Sequence, residues 1–175
     1  MKHTLILVVS ILGLGACTST PNLSKLQNNP NAIVNMQSTK NNTAKGFINF
    51  VQDDDKILVS GRITGLKANS EHGFHIHEKS ACGEDGMSAG GHFNPTNKPH
   101  GNNNSMNHHA GDMPSIRADN KGEAVLNFET KGISITNSDT SIMGRSVIIH
   151  RDADDYTTQP TGNSGPRLAC GIITK

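Results

Sequence analysis

Apolar and polar residues alternate along several short runs that begin at Ala32, and this period of two restricts the fold more than any other feature. The clearest runs place apolar residues or glycine at every second position: Ala32, Val34 and Met36; Gly46, Ile48 and Phe50; and Ile57, Val59, Gly61 and Ile63. Turn-forming stretches at 53–55 and 67–70 separate these runs. Further strand candidates lie at 123–129, 145–150 and 168–173. No amphipathic helical pattern is evident, so the sequence predicts an all-β domain.

The composition agrees with this prediction and limits the classes of partner. The 175 residues leave room for one domain once an N-terminal leader is removed. There is no tryptophan and only one tyrosine, whereas glycine and asparagine are frequent, which favours short strands with many turns. The net charge is +1, and loss of Lys2 with the leader leaves 15 basic against 15 acidic residues. We therefore expect no nucleic-acid partner.

The N-terminus has the pattern of an export signal. Lys2 precedes an apolar run over residues 5–14 that is short for a membrane span. The next residues, Leu14-Gly15-Ala16-Cys17, resemble a bacterial lipobox, in which the cysteine is lipidated after cleavage. An ordinary secretory signal with an incidental cysteine is the alternative. Thr18 after the cysteine is similar to the sorting position of outer-membrane lipoproteins, so the expected location is the periplasm or cell envelope, with a lipid anchor in the outer membrane.

These features predict three segments. Residues 1–16 form a lipoprotein signal peptide, and residues 17–31 form the lipidated Cys17 with a polar, proline-containing tether. Residues 32–175 form the folded domain.

Cysteine usage supports an oxidising compartment. Setting Cys17 aside leaves Cys82 and Cys170 as an even pair, and such a pair in an exported protein is usually a disulfide. Two free buried thiols are the alternative.

Residues able to bind metal lie in and around a long stretch from Ser80 to Pro114. This stretch is rich in glycine, asparagine, histidine and proline and has almost no apolar pattern, as is typical of a functional or disordered loop. Just before it, His75 and His77 are separated by one residue, so on a strand both side chains leave the same face and can bind one metal ion. Further candidate ligands follow at His92, His100, His109, Asp112 and His150. Imidazoles with one carboxylate suit copper and zinc better than calcium or magnesium.

Several separate motifs, in order, carry a resemblance to a known family. They are His72-Gly-Phe-His-Ile-His-Glu78, Ser88-Ala-Gly-Gly-His-Phe-Asn-Pro95, His109-Ala-Gly-Asp112, Gly144-Arg-Ser-Val-Ile-Ile-His150 and Gly165-Pro-Arg-Leu-Ala-Cys-Gly171. On these motifs, the chain across residues 32–175 is identified as a member of the copper,zinc superoxide dismutase family. The cysteine five positions after His77 is similar to the bacterial periplasmic branch.

The resemblance implies a fold and a set of metal ligands. The fold is an eight-stranded Greek-key β-barrel, similar to an immunoglobulin sandwich, with long metal-binding loops. One copper and one zinc ion are bound per subunit. The implied copper ligands are His75, His77, His92 and His150, and the implied zinc ligands are His92, His100, His109 and Asp112.

The resemblance also assigns supporting residues and an activity. Asp154 is the carboxylate that accepts hydrogen bonds from His75 and His100, and Arg167 attracts and orients a small anion beside the copper. The implied activity is dismutation of superoxide to O₂ and H₂O₂ by alternate reduction and reoxidation of copper, with His92 bridging to zinc and carrying a proton. A copper-binding or delivery protein of the same fold is the alternative. The oligomeric state is open between monomer and homodimer.

Four neighbouring residues are assigned no catalytic part. His72 resembles a structural histidine that bonds the backbone, and His108 is expected to be exposed to solvent. Asp152 and Asp155 are expected to be surface charges.

Overall fold

Nine short strands and one turn of 3₁₀ helix make up the regular structure of residues 29–136 and 138–175, the residues that this computed structural model describes. The 3₁₀ turn is Met87–Ala89. The strands are β1 (Asn31–Ser38), β2 (Lys45–Asp53), β3 (Lys56–Thr64), β4 (Glu71–His72), β5 (Phe74–His77), β6 (Ile116–Arg117), β7 (Ala124–Lys131), β8 (Ser146–His150) and β9 (Arg167–Ile172). The prediction of an all-β domain is confirmed.

Seven of these strands form one antiparallel sheet in the order β5-β8-β9-β1-β2-β3-β7. The short strands β4 and β6 pair with each other. Only Gly73 separates β4 from β5, so counting them as one strand gives the eight strands that the family resemblance implies. Neighbours in the sheet are often distant in sequence, as with β1 beside β9 and β3 beside β7, and this agrees with the expected Greek-key connectivity.

The alternating sequence pattern accounts for the hydrophobic core. In β1, Ala32, Val34 and Met36 are buried while the residues between them are exposed. Ile48 and Phe50 of β2 face the same core. A two-residue turn carries the chain from β2 into β3, and Asp54 there adopts a positive φ of 53°, which asparagine and aspartate tolerate better than most residues.

Strand β8 departs from the alternation because both of its faces are covered. All five of its residues, Ser146–His150, are buried. One face packs on the main core, and on the other Ile148 contacts a small cluster with Ala89 and Cys170. The long loop therefore lies directly over β8 and β9.

A disulfide fastens that loop to the sheet. Cys82 is bonded to Cys170 of β9, with their Cα atoms 5.7 Å apart, so the predicted pairing is confirmed. The 3₁₀ turn follows a few residues after Cys82, within the segment that the disulfide holds.

The signal peptide, Cys17 and most of the tether lie outside the described residues. Within the described part of the chain, no helix has the length and apolar character needed to cross a membrane.

Replacing both Cys82 and Cys170 with serine is expected to lower the free energy of unfolding of the metal-free protein by on the order of 4 kcal/mol. The reason is that the disulfide closes a long loop, with a sequence separation of 88 residues, and so restricts the unfolded chain. Urea denaturation measures the loss. Reduction of the wild-type disulfide serves as the matched comparison and should give a similar loss. An unchanged denaturation midpoint in the double variant would contradict the prediction.

Candidate metal centre

Two strands and one long loop bring the candidate ligands together. His75 and His77 lie on β5, and β5 pairs with β8, which ends at His150. The loop residues reach the same place through isolated antiparallel bridges, which join His77 to His92 and His75 to Asp112. Both bridges pair loop residues with β5, so strand pairing places residues from the long loop beside the His-x-His pair.

A close backbone contact makes this arrangement depend on a glycine. Gly111 donates its N–H to the carbonyl of Phe93 and accepts a hydrogen bond from the N–H of Ile76. A Cβ atom at Gly111 would lie 2.1 Å from the carbonyl oxygen of Ile76, closer than any side chain can approach. Glycine is therefore required immediately before Asp112.

The predicted ligands form two groups. Within each group, one ligand atom from every residue lies within 4.8 Å of the others, and every residue is buried. The first group contains His75, His77, His92 and His150, and the second contains His92, His100, His109 and Asp112. His92 belongs to both groups. The structure thus brings together all the residues that the sequence predicts as copper and zinc ligands, in the same two sets.

Six buried ring nitrogens in these groups have no hydrogen-bond partner. They are His75 Nδ1, His77 Nε2, His92 Nε2, His100 Nδ1, His109 Nδ1 and His150 Nε2. Burying a polar atom without a partner costs free energy, so such atoms are rare unless something else satisfies them. Because each of the six histidines contributes one such nitrogen, the residues fit a pair of imidazole-bound metal ions.

The opposite ring nitrogen of each copper-group histidine is bonded. His77 donates from Nδ1 to the carbonyl of Gly90 at 2.9 Å, and His150 donates from Nδ1 to the carbonyl of Gly165 at 3.0 Å. A carbonyl oxygen can only accept, so in each ring the proton lies on Nδ1. Nε2 is left with a free lone pair that points into the cluster.

Asp154 joins the two groups. Its Oδ2 lies 2.6 Å from His75 Nε2, and its Oδ1 lies 2.8 Å from His100 Nε2. A single buried carboxylate therefore orients one histidine of each group. Gly162, at a positive φ of 65°, allows this contact, since a Cβ atom there would lie 1.7 Å from Asp154 Oδ1.

In the second group, three imidazoles surround one carboxylate oxygen. Asp112 Oδ1 lies 2.8 Å from His92 Nδ1, 3.1 Å from His100 Nδ1 and 3.4 Å from His109 Nδ1. Its other oxygen, Oδ2, accepts hydrogen bonds from the backbone N–H groups of His109 and Gly101. Three nitrogens and one oxygen are a ligand set that tetrahedral zinc favours.

The electrostatics of the second group favour a cation. Burial acts to raise the pKa of Asp112, but the three imidazoles that face its Oδ1, those of His100, His109 and His92, outweigh burial and hold this pKa well below its ordinary value. Burial acts to lower the pKa of His100, yet the carboxylates of Asp112 and Asp154, which face its two ring nitrogens, raise this pKa to about 9. In the metal-free protein His100 is therefore protonated at neutral pH, and a metal ion bound at its Nδ1 would displace a proton.

The first group is different because burial dominates. Burial lowers the pKa of His92 to about 4 and that of His150 to about 3. Burial also holds the pKa of His77 well below its ordinary value, with the charges of His92 and Arg167 acting in the same direction. These rings are neutral at physiological pH, which is the form that binds a metal.

Arg167 lies beside the first group. It begins β9 and pairs with His150 across the sheet, where the register shifts. Its guanidinium donates hydrogen bonds to the carbonyls of Gly86 and Gly90, the second at 2.7 Å. Burial lowers the pKa of Arg167, but an arginine stays charged at neutral pH. A guanidinium has five N–H donors, so donors are left for an anion.

The expected structural and surface residues also have defined positions. His72 is buried and donates from Nδ1 to the carbonyl of His150 at 2.8 Å, as expected of a structural histidine. Asp155 is exposed, and Asp152 bonds the exposed Arg151. His108 differs from the expectation of exposure to solvent: it is partly buried, and its Nδ1 donates to the carbonyl of His109 at 2.6 Å.

Two supporting side chains have no signal in the sequence. The Arg145 guanidinium lies 3.5 Å above the centre of the Phe93 ring and donates to the carbonyl of Glu78 at 2.8 Å. It therefore holds the residues that follow His77 and His92 together. The side-chain amide of Gln159 bonds the backbone of His100.

Comparisons with known proteins agree with the geometry. The family model for copper/zinc superoxide dismutase (SODC) matches residues 44–173. "Superoxide dismutase [Cu-Zn] 5" of Dictyostelium discoideum is 40% identical over 142 residues, covering 77% of this chain and 92% of that protein. "Superoxide dismutase [Cu-Zn]" of Paramecium bursaria Chlorella virus 1 is 36% identical over 176 residues, covering 97% and 92%.

A bacterial relative and a solved structure are similar as well. "Superoxide dismutase-like protein YojM" of Bacillus subtilis (strain 168) is 44% identical over 138 residues, covering 74% of this chain and 69% of that protein. The crystal structure of the clock protein EA4 matches with a TM-score of 0.75 and 39% identity, covering 83% of this chain and 94% of that one.

The pKa values predict how the stability of the metal-free protein depends on pH. His77, His92 and His150 have lowered pKa values when folded, so below about pH 6.5 the unfolded chain binds more protons. The free energy of unfolding should therefore fall as the pH drops towards about 4. For His100 the folded pKa is raised to about 9, so its contribution is present below about pH 6.5 and is lost as the pH rises through about 9.

Urea denaturation of chelator-treated protein at about pH 7 and about pH 4.5 measures the acid side of this dependence. His150→Gln should show a smaller loss of stability on acidification than the wild type, whereas His108→Gln should match the wild type. If His150→Gln loses as much stability between about pH 7 and about pH 4.5 as the wild type does, the lowered pKa of His150 does not explain the acid sensitivity.

Proposed function

Because this chain belongs to the copper/zinc superoxide dismutase family, we propose that it converts superoxide to O₂ and H₂O₂ as an antioxidant enzyme of the cell envelope. The observation that carries this proposal is the set of six unpartnered buried nitrogens, divided between two groups that share His92. The family uses copper and zinc, and these side chains supply the donors that both ions need. His75, His77, His92 and His150 would hold copper, and His92, His100, His109 and Asp112 would hold zinc.

When bound, copper would supply the one-electron redox chemistry and zinc a fixed positive charge beside it. His92 is the residue of the protein that would transfer a proton, because its two ring nitrogens face different groups. Nδ1 faces Asp112 at 2.8 Å, and Nε2 faces the first group without a partner. Nε2 is therefore the atom at which His92 would hold a proton and pass it to the reduced, basic substrate.

Arg167 would bind the substrate anion. Two carbonyl groups fix its guanidinium, and one of them, the carbonyl of Gly90, also accepts the hydrogen bond from His77. The cation is therefore held in a set position relative to a copper-group histidine. With a net charge of only +1 for the whole chain, a local cation of this kind would provide the attraction for superoxide.

The position in the cell rests on the N-terminal sequence. Export and lipidation at Cys17 would place the domain on the periplasmic side of a membrane through a lipid anchor, with residues 17–31 as a tether. The exported compartment agrees with the Cys82–Cys170 disulfide, since disulfides persist in oxidising spaces.

The competing function is binding or delivery of copper without efficient catalysis. The Bacillus subtilis relative is named a "superoxide dismutase-like protein" and not a superoxide dismutase, so this alternative has to be tested. Retention of both Arg167 and every candidate copper ligand favours the enzyme.

Activity of the copper- and zinc-loaded protein in a superoxide assay tests the proposal. His150→Ala should weaken copper binding by about 100-fold or more, since it removes a candidate ligand directly, and should abolish activity. Arg167→Ala should keep its copper but lower kcat/KM roughly ten- to a hundredfold and reduce the dependence of the rate on salt.

Arg151→Ala is the matched control, because Arg151 is an exposed arginine whose guanidinium bonds only Asp152 among the described residues. It should retain wild-type activity. A wild-type protein that binds copper tightly and yet shows no activity would establish the competing function instead.

The anchor is tested by Cys17→Ser in the full chain expressed in a bacterium. The wild type should fractionate with membranes and incorporate a labelled fatty acid, whereas the variant should do neither, because the lipid is attached through the thiol. Labelling of the variant at the wild-type level would contradict lipidation at Cys17.

A further inference from the structure

The backbone of His100 is held differently from the backbones of the other candidate ligands. His75, His77 and His150 lie within paired strands. His92 and Asp112 lie in bridges to β5, and the backbone of His109 is bonded by Asp112. His100 belongs to none of these elements, so its position must be set in another way.

One side chain bonds both polar groups of the His100 backbone. The N–H of His100 donates to Gln159 Oε1 at 2.8 Å, and Gln159 Nε2 donates to the carbonyl of His100 at 2.9 Å. Within the described residues these are the only hydrogen bonds of that backbone. A side-chain amide is suited to this double bond because it offers a donor and an acceptor side by side.

The same segment also holds the His100 ring. Asp154, five residues before Gln159, accepts the hydrogen bond from His100 Nε2 at 2.8 Å. Between them, the Tyr156 hydroxyl accepts a hydrogen bond from the N–H of Ser115 at 3.0 Å. The loop between β8 and β9 thus bonds the His100 ring through Asp154 and Ser115 through Tyr156, and Gln159 provides the contact to the backbone of His100.

We propose that Gln159 is a positioning residue for zinc binding: its side-chain amide holds the His100 backbone so that Nδ1 faces Asp112 and His109. Without this amide, water can bond the His100 backbone because Gln159 lies at the surface, but water does not fix the segment. His100 then has to be ordered when the metal binds, and that cost appears as weaker affinity. The first group does not use His100, so copper binding is affected much less.

Gln159→Ala is expected to weaken zinc binding about tenfold, the lower end of what loss of a group supporting a metal ligand costs. Competition with a coloured chelator measures the affinity, and Co²⁺ in place of zinc gives a visible absorption band that reports the ligand geometry. The variant should need more Co²⁺ for saturation and should show a broadened band. Copper affinity, measured in the same samples, should change less than about threefold.

Two further variants define the cause. Gln159→Glu keeps an acceptor for the His100 N–H but cannot donate to the His100 carbonyl, so its zinc affinity should lie between those of the wild type and Gln159→Ala. Thr157→Ala is the control, since it removes an exposed hydroxyl that bonds Asp155 rather than His100. It should match the wild type in affinity and in the Co²⁺ band.

Wild-type zinc affinity and an unchanged Co²⁺ band in Gln159→Ala would overturn the proposal. An equal loss of copper and zinc affinity would overturn it as well, because Gln159 would then support the fold in general. The inference rests on zinc binding by the second group. If the wild type binds no zinc, that premise fails. If the wild type binds zinc and Gln159→Ala binds it with the same affinity, only the positioning role of Gln159 is overturned.

Discussion

Six buried imidazole nitrogens without a hydrogen-bond partner are the constraint on which the rest of the structure depends. Burying an unpaired polar atom costs free energy, so the metal-free protein carries this cost in the middle of its fold. Bound metal ions would remove it, which links metal affinity to stability. In five of the six histidines, all but His109, the other ring nitrogen makes a hydrogen bond, as with Gly90 for His77 and Asp154 for His75, and this bond selects which nitrogen faces the metal.

The two groups are built from different kinds of structure. The copper group rests mainly on paired strands, because His75 and His77 lie on β5 and His150 lies on β8. The zinc group lies on the long loop and is held by side chains, the carboxylates of Asp112 and Asp154 and the amide of Gln159. Strand ladders order the chain without help from the metal, whereas the loop depends on a few contacts. We therefore expect the zinc side to respond more strongly to changes in the surrounding loops.

Much of the fold could be predicted from local pattern. The alternation in β1, β2 and β3 appears in the structure as alternating burial, since side chains of a strand leave opposite faces in turn. The strand candidate at 145–150 lies in the structure at Ser146–His150, but there every residue is buried, because the long loop covers the outer face. That covering depends on a contact from Ile148 to Ala89 and Cys170, and no local pattern shows it.

The sequence by itself determined the all-β class, the cysteine pair and the identity of the candidate ligands, because these depend on residue type and spacing. Only the tertiary structure decided which ring nitrogen faces each metal site, which backbone carbonyls hold the rings of His77 and His150, and how the backbone of His100 is held. Those contacts use backbone carbonyls, which no residue type reveals, and side chains far apart in the chain, since Gln159 reaches His100 across 59 positions. Such pairs meet only when the sheet and the loops are folded together.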